Sequence, residues 1–366
     1  MTLGTDVMEV LDPVRPSTGR TRDVQPTTSF PVASAPAERH ATARVAVVVI
    51  GRNEGERLRR CLESAVPLAH TVVYVDSGST DNSVEIAKQL GVMAVPLDMS
   101  IPFTAARARN VGFAAAVKID PDVELVQFLD GDTEIATTWI QRAVRFMDEN
   151  GDVAAVFGRR RERHPEASIY NQLCDAEWSV PDGQAKYCGG DVMMRRVAFE
   201  GVNGYTDRLI AGEEPDLCVR LRANRWTIHC LDAEMTLHDA SMLEFGQWWR
   251  RTTRSGFAFA QGAHMHGAAP ERHWVRETVR IWVWALLIPV AALALSWVIG
   301  PWWGLALLGI YPAQITRVYF KYQGPPNVRF IRALFYTLAR FPEMVGAAKF
   351  YSLRLLGRQA RIIEYK

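Results

Sequence analysis

The chain has 366 residues, 48% of them apolar and 22% charged, ample for one large domain or two ordinary ones and too apolar for a disordered or coiled-coil protein. A net charge of +2 gives no global argument for nucleic acid as a partner, although residues 321–366 hold nine Lys/Arg against two Asp/Glu. Five cysteines without a CxxC pair imply neither a zinc framework nor a disulfide scaffold, and the first 30 residues lack the apolar core of a signal peptide, so the bulk of the chain is expected in the cytosol.

Residues 1–43 are rich in Pro, Ser, Thr, Ala and Arg and read as a disordered tail. Order is expected from Val45, where a continuous β-branched run to Ile50 suits a parallel strand buried on both faces. Helix is expected over Glu56–Ala65, strand over Thr71–Val75, helix over Ser83–Leu90 and a short strand over Met93–Pro96. Then follow a helix over Ala105–Val117, a strand over Leu125–Leu129, a helix over Thr138–Glu149 and a strand over Ala154–Gly158. This alternation predicts an α/β fold with a mostly parallel sheet flanked by helices. Ligands of such sheets sit beyond the carboxyl ends of the strands. The polar loops at 51–54, 76–81 and 130–132 all follow strand ends and should converge on one cleft.

Residues 281–299 carry no charge, Gly300-Pro301 breaks the run, and a second uncharged stretch follows. About 281–320 is expected as a membrane helical hairpin, since a span needs about 20 apolar residues. The alternative is a buried helix pair of a soluble protein. Basic flanks (Arg272, Arg276 and Arg280; Arg317, Lys321 and Arg329) place both ends on the cytoplasmic side. Residues 328–363 read as basic amphipathic helices, lying either on an anionic leaflet or against the main domain.

Asp130-Gly131-Asp132, directly after a strand, is the sharpest chemical signal: two carboxylates two apart can share one hard cation, Mg²⁺ or Mn²⁺. Turns also collect Asp and Gly for their own geometry. The four arginines between Arg159 and Arg163 read as a solvated loop or as a phosphate site.

Taken in order, VVVIGRNEGE, VVYVDSGSTDNS, ARARNVG, FLDGDTE, GGDVMMRR and GEEPDLCVRLR resemble family 2 glycosyltransferases of GT-A fold over about residues 45–260. The apolar tail is similar to that of membrane-associated bacterial members that build exopolysaccharide or lipid-linked glycans. The resemblance implies a GT-A domain over 44–265 followed by a membrane-associating helical region over 266–366. It implies that Arg52, Glu54, Asp76, Arg109, Asn110, Asp130 and Gly190 meet the nucleotide-sugar, and that Asp130, Asp132 and His238 hold the divalent cation. Glu214, with Glu213 as its alternative, would be the general base of an inverting transfer. Asp76 has a second reading as a turn cap, and Glu213-Glu214 as the acidic start of a helix. Arg250, Arg251 and Arg254 are candidates for pyrophosphate or lipid phosphate. The expected partners are a nucleotide-sugar donor (UDP-linked), a lipid-linked or glycan acceptor and membrane lipids, but no nucleic acid. A processive polysaccharide synthase, a sugar nucleotidyltransferase and a non-catalytic membrane-tethered scaffold are the rival functions.

Overall fold

The structure, a computed structural model, describes residues 45–358. The tail expected over 1–43 and the end of the amphipathic segment, 359–363, lie outside the described residues.

The first half follows the hydrophobic pattern closely. Strand β1 (Val45–Gly51) is flanked by α1 (Glu56–Ala65) and pairs parallel with β2 (Thr71–Asp76) and β4 (Leu125–Asp130). Strand β3 (Met93–Pro96) extends the same parallel set beyond β2, after helix α2 (Ser83–Gln89). Val45 to Val49 are fully buried because helices cover both faces of the sheet, among them α3 (Ala105–Ile119). Burying each large aliphatic side chain contributes about 1.5–3 kcal/mol.

The second half departs from the expected parallel plan and is mixed. Its elements are β5 (Thr133–Ile135), α4 (Trp139–Glu149), β6 (Val153–Glu162), α5 (Ile169–Glu177), β7 (Gly183–Gln184), β8 (Val192–Arg195), α6 (Arg196–Gly201), α7 (Glu213–Ala223) and β9 (Thr227–His238). Strand β8 inserts antiparallel between β4 and β6, β6 runs parallel to β9, and β9 pairs antiparallel with β5. Strand β6 runs four residues beyond its expected end at Gly158. Its arginines alternate: Arg160 is 15% exposed, whereas Arg159 and Arg161 are 48% and 53% exposed. The basic run is therefore a half-buried strand and not a loop.

A long helix, α8 (Phe245–His266), follows β9. Next come α9 (Val275–Trp282), one π turn at Val283–Leu287 and α10 (Ile288–Val298), which form one continuous helical rod. The chain reverses at Gly300 and returns as α11 (Pro301–Leu308) and α12 (Ile310–Lys321). The outer surface of this hairpin is apolar: Leu293 is 71% exposed, Trp297 90% and Trp302 78%. Helices α13 (Pro326–Leu338) and α14 (Arg340–Leu355) then fold back. Helix α14 packs on α8 through Phe257, Ala260, Ala347 and Phe350, so its apolar face is covered by the main domain, while Lys349 and Arg354 stay exposed. All five cysteines are buried and free.

Candidate active site

The carboxyl end of β1 is joined by backbone to those of β4 and β2: Gly131 N–H donates to Ile50 O at 2.8 Å, and Ser77 N–H donates to Gly51 O at 3.0 Å. Beyond these ends opens a cleft of about 850 Å³. It gathers Arg52, Glu54, Arg109, Asp130, Asp132, Gly190, Glu213, Glu214, His238, Arg251 and Arg254 from segments up to 200 residues apart.

Arg109, 2% exposed on α3, is the hub. Its guanidinium donates to Asp130 Oδ1 at 2.9 Å, Glu214 Oε1 at 3.1 Å and Glu213 Oε1 at 3.2 Å. Arg160 approaches Asp130 Oδ2 at 3.4 Å and Asp191 Oδ2 at 3.6 Å, and its guanidinium lies 4.7 Å over the Trp178 ring. Asp191 fixes the turn by accepting from the Asp130 N–H at 3.0 Å and the Thr236 hydroxyl at 2.8 Å. Gly190 leaves room for the guanidinium, since a Cβ there would lie 2.3 Å from Arg109 Nη2.

Glu213 and Glu214 open α7, immediately after Gly212, whose φ of +79° suits glycine. Burial, then the neighbouring Glu213, push the Glu214 carboxyl up to about 7, against the pull of Arg109. A carboxyl poised there exchanges protons near neutral pH.

The expected metal triad is not assembled. Asp132 Oδ1 and His238 Nε2 lie 3.3 Å apart, but Asp130 faces the two arginines. Among the described residues no group of three His, Cys, Asp or Glu is arranged to hold a metal ion. Asp132 and His238 nevertheless form a suitable donor pair. Burial and then Arg160 depress His238 below its usual value, keeping the imidazole neutral, and its Nδ1 sits buried 3.6 Å from Glu162 Oε2. Burial opposes the charge on Glu162, yet the nearby His238 imidazole and the N–H groups of His164 and Ala240 outweigh it and hold the carboxyl low. A carboxylate behind the second nitrogen fixes the tautomer of a metal-binding histidine.

Three expected residues do not line the cleft. Asp76 caps its own turn, with Oδ2 accepting from Gly78 N–H at 3.1 Å and Ser79 N–H at 3.0 Å and Oδ1 from the Tyr74 hydroxyl at 2.9 Å. Asn110 braces the 205–207 loop through Tyr205 O at 2.8 Å and Asp207 Oδ1 at 2.7 Å. Arg250 is exposed on α8 while Arg251 and Arg254, on the next part of that helix, face the cleft; Arg251 also pairs with Glu177 at 2.8 Å. Conversely, Phe103, Trp178, Phe259 and Trp274 line the cleft and were not singled out from the sequence. Arg52 lies 4.9 Å over the Phe103 ring, so an aromatic reaches the first loop from a distant segment. Isolated loop aromatics such as Phe103 leave no periodic signal.

Residues 46–199 match Glycosyl transferase family 2. These residues form a family 2 glycosyltransferase segment. The family 2 segment contains the first five motifs, while Glu214, His238 and α8 lie beyond it. Glycosyltransferase AglE of Haloferax volcanii is 24% identical over 206 residues, 53% of this chain and 63% of that protein. Glycosyltransferase YibD of Escherichia coli is 31% identical over 121 residues, 31% of this chain and 34% of that protein. The chain thus spans less than two thirds of the curated relatives it matches. A mannosyltransferase from Pyrobaculum calidifontis, solved in complex with GDP-Man and Mn²⁺, has a similar structure at a TM-score of 0.58 and 21% identity, covering 84% of this chain and 87% of that one. The family 2 domain therefore has the GT-A type of fold.

Proposed function

We propose that this chain is an inverting, divalent-cation-dependent glycosyltransferase that moves a sugar from a nucleotide-sugar, UDP-linked by the family resemblance, to a hydroxyl of a lipid-linked or growing glycan. The observation that carries this reading is the placement of Glu214 and the Asp132–His238 pair in one cleft, with the Arg109 guanidinium between Glu214 and Asp130. Arg52, Glu54 and Phe103 border the base and ribose. Arg109 and Arg160 offset the charge of the diphosphate. Glu214 takes the proton of the acceptor hydroxyl as its oxygen bonds to the anomeric carbon and the sugar–diphosphate bond breaks. Asp132 and His238 would hold Mn²⁺ or Mg²⁺, joined by Asp130 once its arginines turn to the phosphates; the bound cation supplies charge for the departing diphosphate. Arg251 and Arg254 stand ready for a phosphate on the acceptor.

The test is a thermal-shift panel of UDP- and GDP-sugars with the full chain in detergent, with and without Mn²⁺. A ligand that binds only the folded state raises the melting temperature by mass action. A cation-dependent rise with at least one donor is expected. No rise with any donor, from a folded sample, favours the scaffold reading.

The hairpin supports a site at a membrane. The rod Val275–Val298 has 24 residues, and its most apolar window has a mean hydropathy of 2.2 and is 17% buried. At 1.5 Å per residue it is about 36 Å long, enough for a hydrocarbon layer of about 30 Å. Trp297, Trp302 and Trp303 crowd the reversal. We place the catalytic domain on the cytoplasmic face because both ends of the hairpin are basic. The full chain should float with anionic phospholipid vesicles, and replacing those three tryptophans by serine should reduce the floating fraction. A wild-type chain that stays in the dense fraction overturns the membrane placement.

A further inference from the structure

One wall of the cleft is built by aromatic residues that the roles above leave unused. Trp274 lines the cleft together with Glu214 and Phe259. Its φ is +53°, and Arg272 in the same loop has φ +46°. Bulky residues rarely adopt this left-handed conformation, and it persists only where the surroundings over-determine it, commonly at ligand-contacting sites. The surroundings here do so. His273, 2% exposed, stacks on the indole at 4.1 Å with the planes 28° apart. The Tyr187 hydroxyl lies 3.0 Å from His273 Nδ1, and Phe259 meets the indole edge-on at 5.0 Å. Arg222 on α7 pairs with Glu271 of the same loop.

The indole is seated over the start of α7. A Cβ placed on Gly212 would lie 3.1 Å from Trp274 Cζ3 and 3.2 Å from Cη2. The next two residues are Glu213 and Glu214. A rigid indole therefore stands at the start of the helix that carries the proton-accepting carboxylate, and lines the same cleft. With one face backed by His273 and its benzene edge held between Gly212 and Gly262, the indole is fixed where it borders the cleft. A pyranose offers the matching chemistry: its C–H groups pack on an aromatic ring while its hydroxyls reach neighbouring carboxylates.

We propose that Trp274 is the platform on which the acceptor's sugar ring packs, and that it thereby selects acceptors carrying a pyranose next to the reacting hydroxyl. This rests on the transferase reading above.

The experiment uses the full chain as wild type, Trp274→Phe and Trp274→Ala. Each is saturated with UDP or GDP plus Mn²⁺ and probed by saturation-transfer NMR with the methyl glycosides of glucose, mannose and galactose. The ring C–H signals of at least one glycoside should appear in wild type, weaken in Trp274→Phe and vanish in Trp274→Ala, with nucleoside diphosphate affinity within twofold across all three. Equal glycoside signals in wild type and Trp274→Ala, zero included, overturn the platform. So does a Trp274→Ala chain that loses the nucleotide along with the sugar, since Trp274 then serves the donor site or the fold. A folded wild type that binds neither nucleoside diphosphate overturns the transferase reading itself, and the platform with it.

Discussion

Glu214→Gln lowers kcat by about 10²–10⁴ while leaving the nucleotide-sugar bound, because the amide cannot accept the acceptor's proton and little else in the cleft changes shape. The pH profile carries a second signature. Only the ionised carboxylate is a base, and burial with Glu213 beside it raises Glu214 to about 7. As pH falls through about 7, kcat/KM therefore falls, approaching tenfold per unit well below that value. Glu213→Gln removes the like charge that helps hold Glu214 up, so the acid limb should move to lower pH with turnover largely kept. Steady-state kinetics across pH with the donor found in the thermal panel checks both variants. If Glu213→Gln is the dead variant and Glu214→Gln the live one, the base is Glu213.

Asp132→Asn should reduce kcat by about 10²–10³, the scale of losing one preorganised electrostatic partner of a developing charge. Its companion readout does not involve turnover. Wild type with a nucleoside diphosphate should gain stability on adding Mn²⁺, by about 2.7 kcal/mol at a hundredfold excess over the dissociation constant, and chelation should reverse the gain. In Asp132→Asn that increment should disappear although the melting temperature without Mn²⁺ stays near that of wild type. An unchanged Mn²⁺ increment, or full transfer in the presence of EDTA, would falsify the assignment of Asp132 to the cation.

The parallel half of the fold was readable because strands buried on both faces must be continuous apolar runs: Val45–Ile50, Thr71–Val75 and Leu125–Leu129 agree with the observed strands to within one residue. Strand β9, TIHCLDAEMTLH, was not readable, since its charged residues interrupt any run and its burial alternates only in part. The end of β6 was hidden for a related reason: Arg-Arg-Arg-Glu has a polar composition whether or not it is paired. The candidate site divides the same way. Residues at strand ends, such as Asp130 and Asp132, follow from topology. Asp76 also ends a strand, yet its oxygens serve the turn, and no spacing rule separates a capping aspartate from a binding one. Phe103, Trp178 and Trp274 reach the cleft only through long-range packing, which single-sequence periodicity does not encode.

The three consecutive arginines of β6 have a consequence for robustness. Side chains on a strand alternate between faces, so a one-residue slip normally replaces an inward group with its outward neighbour and destroys a site. Here both neighbours of Arg160 are also arginines, and the β6–β9 pairing already shifts register between Arg159 and Arg160. Whichever of the three points inward, a guanidinium faces Asp130. The strand whose pairing with β9 shifts register at these residues thus carries a sequence degenerate in the one property the cleft takes from it.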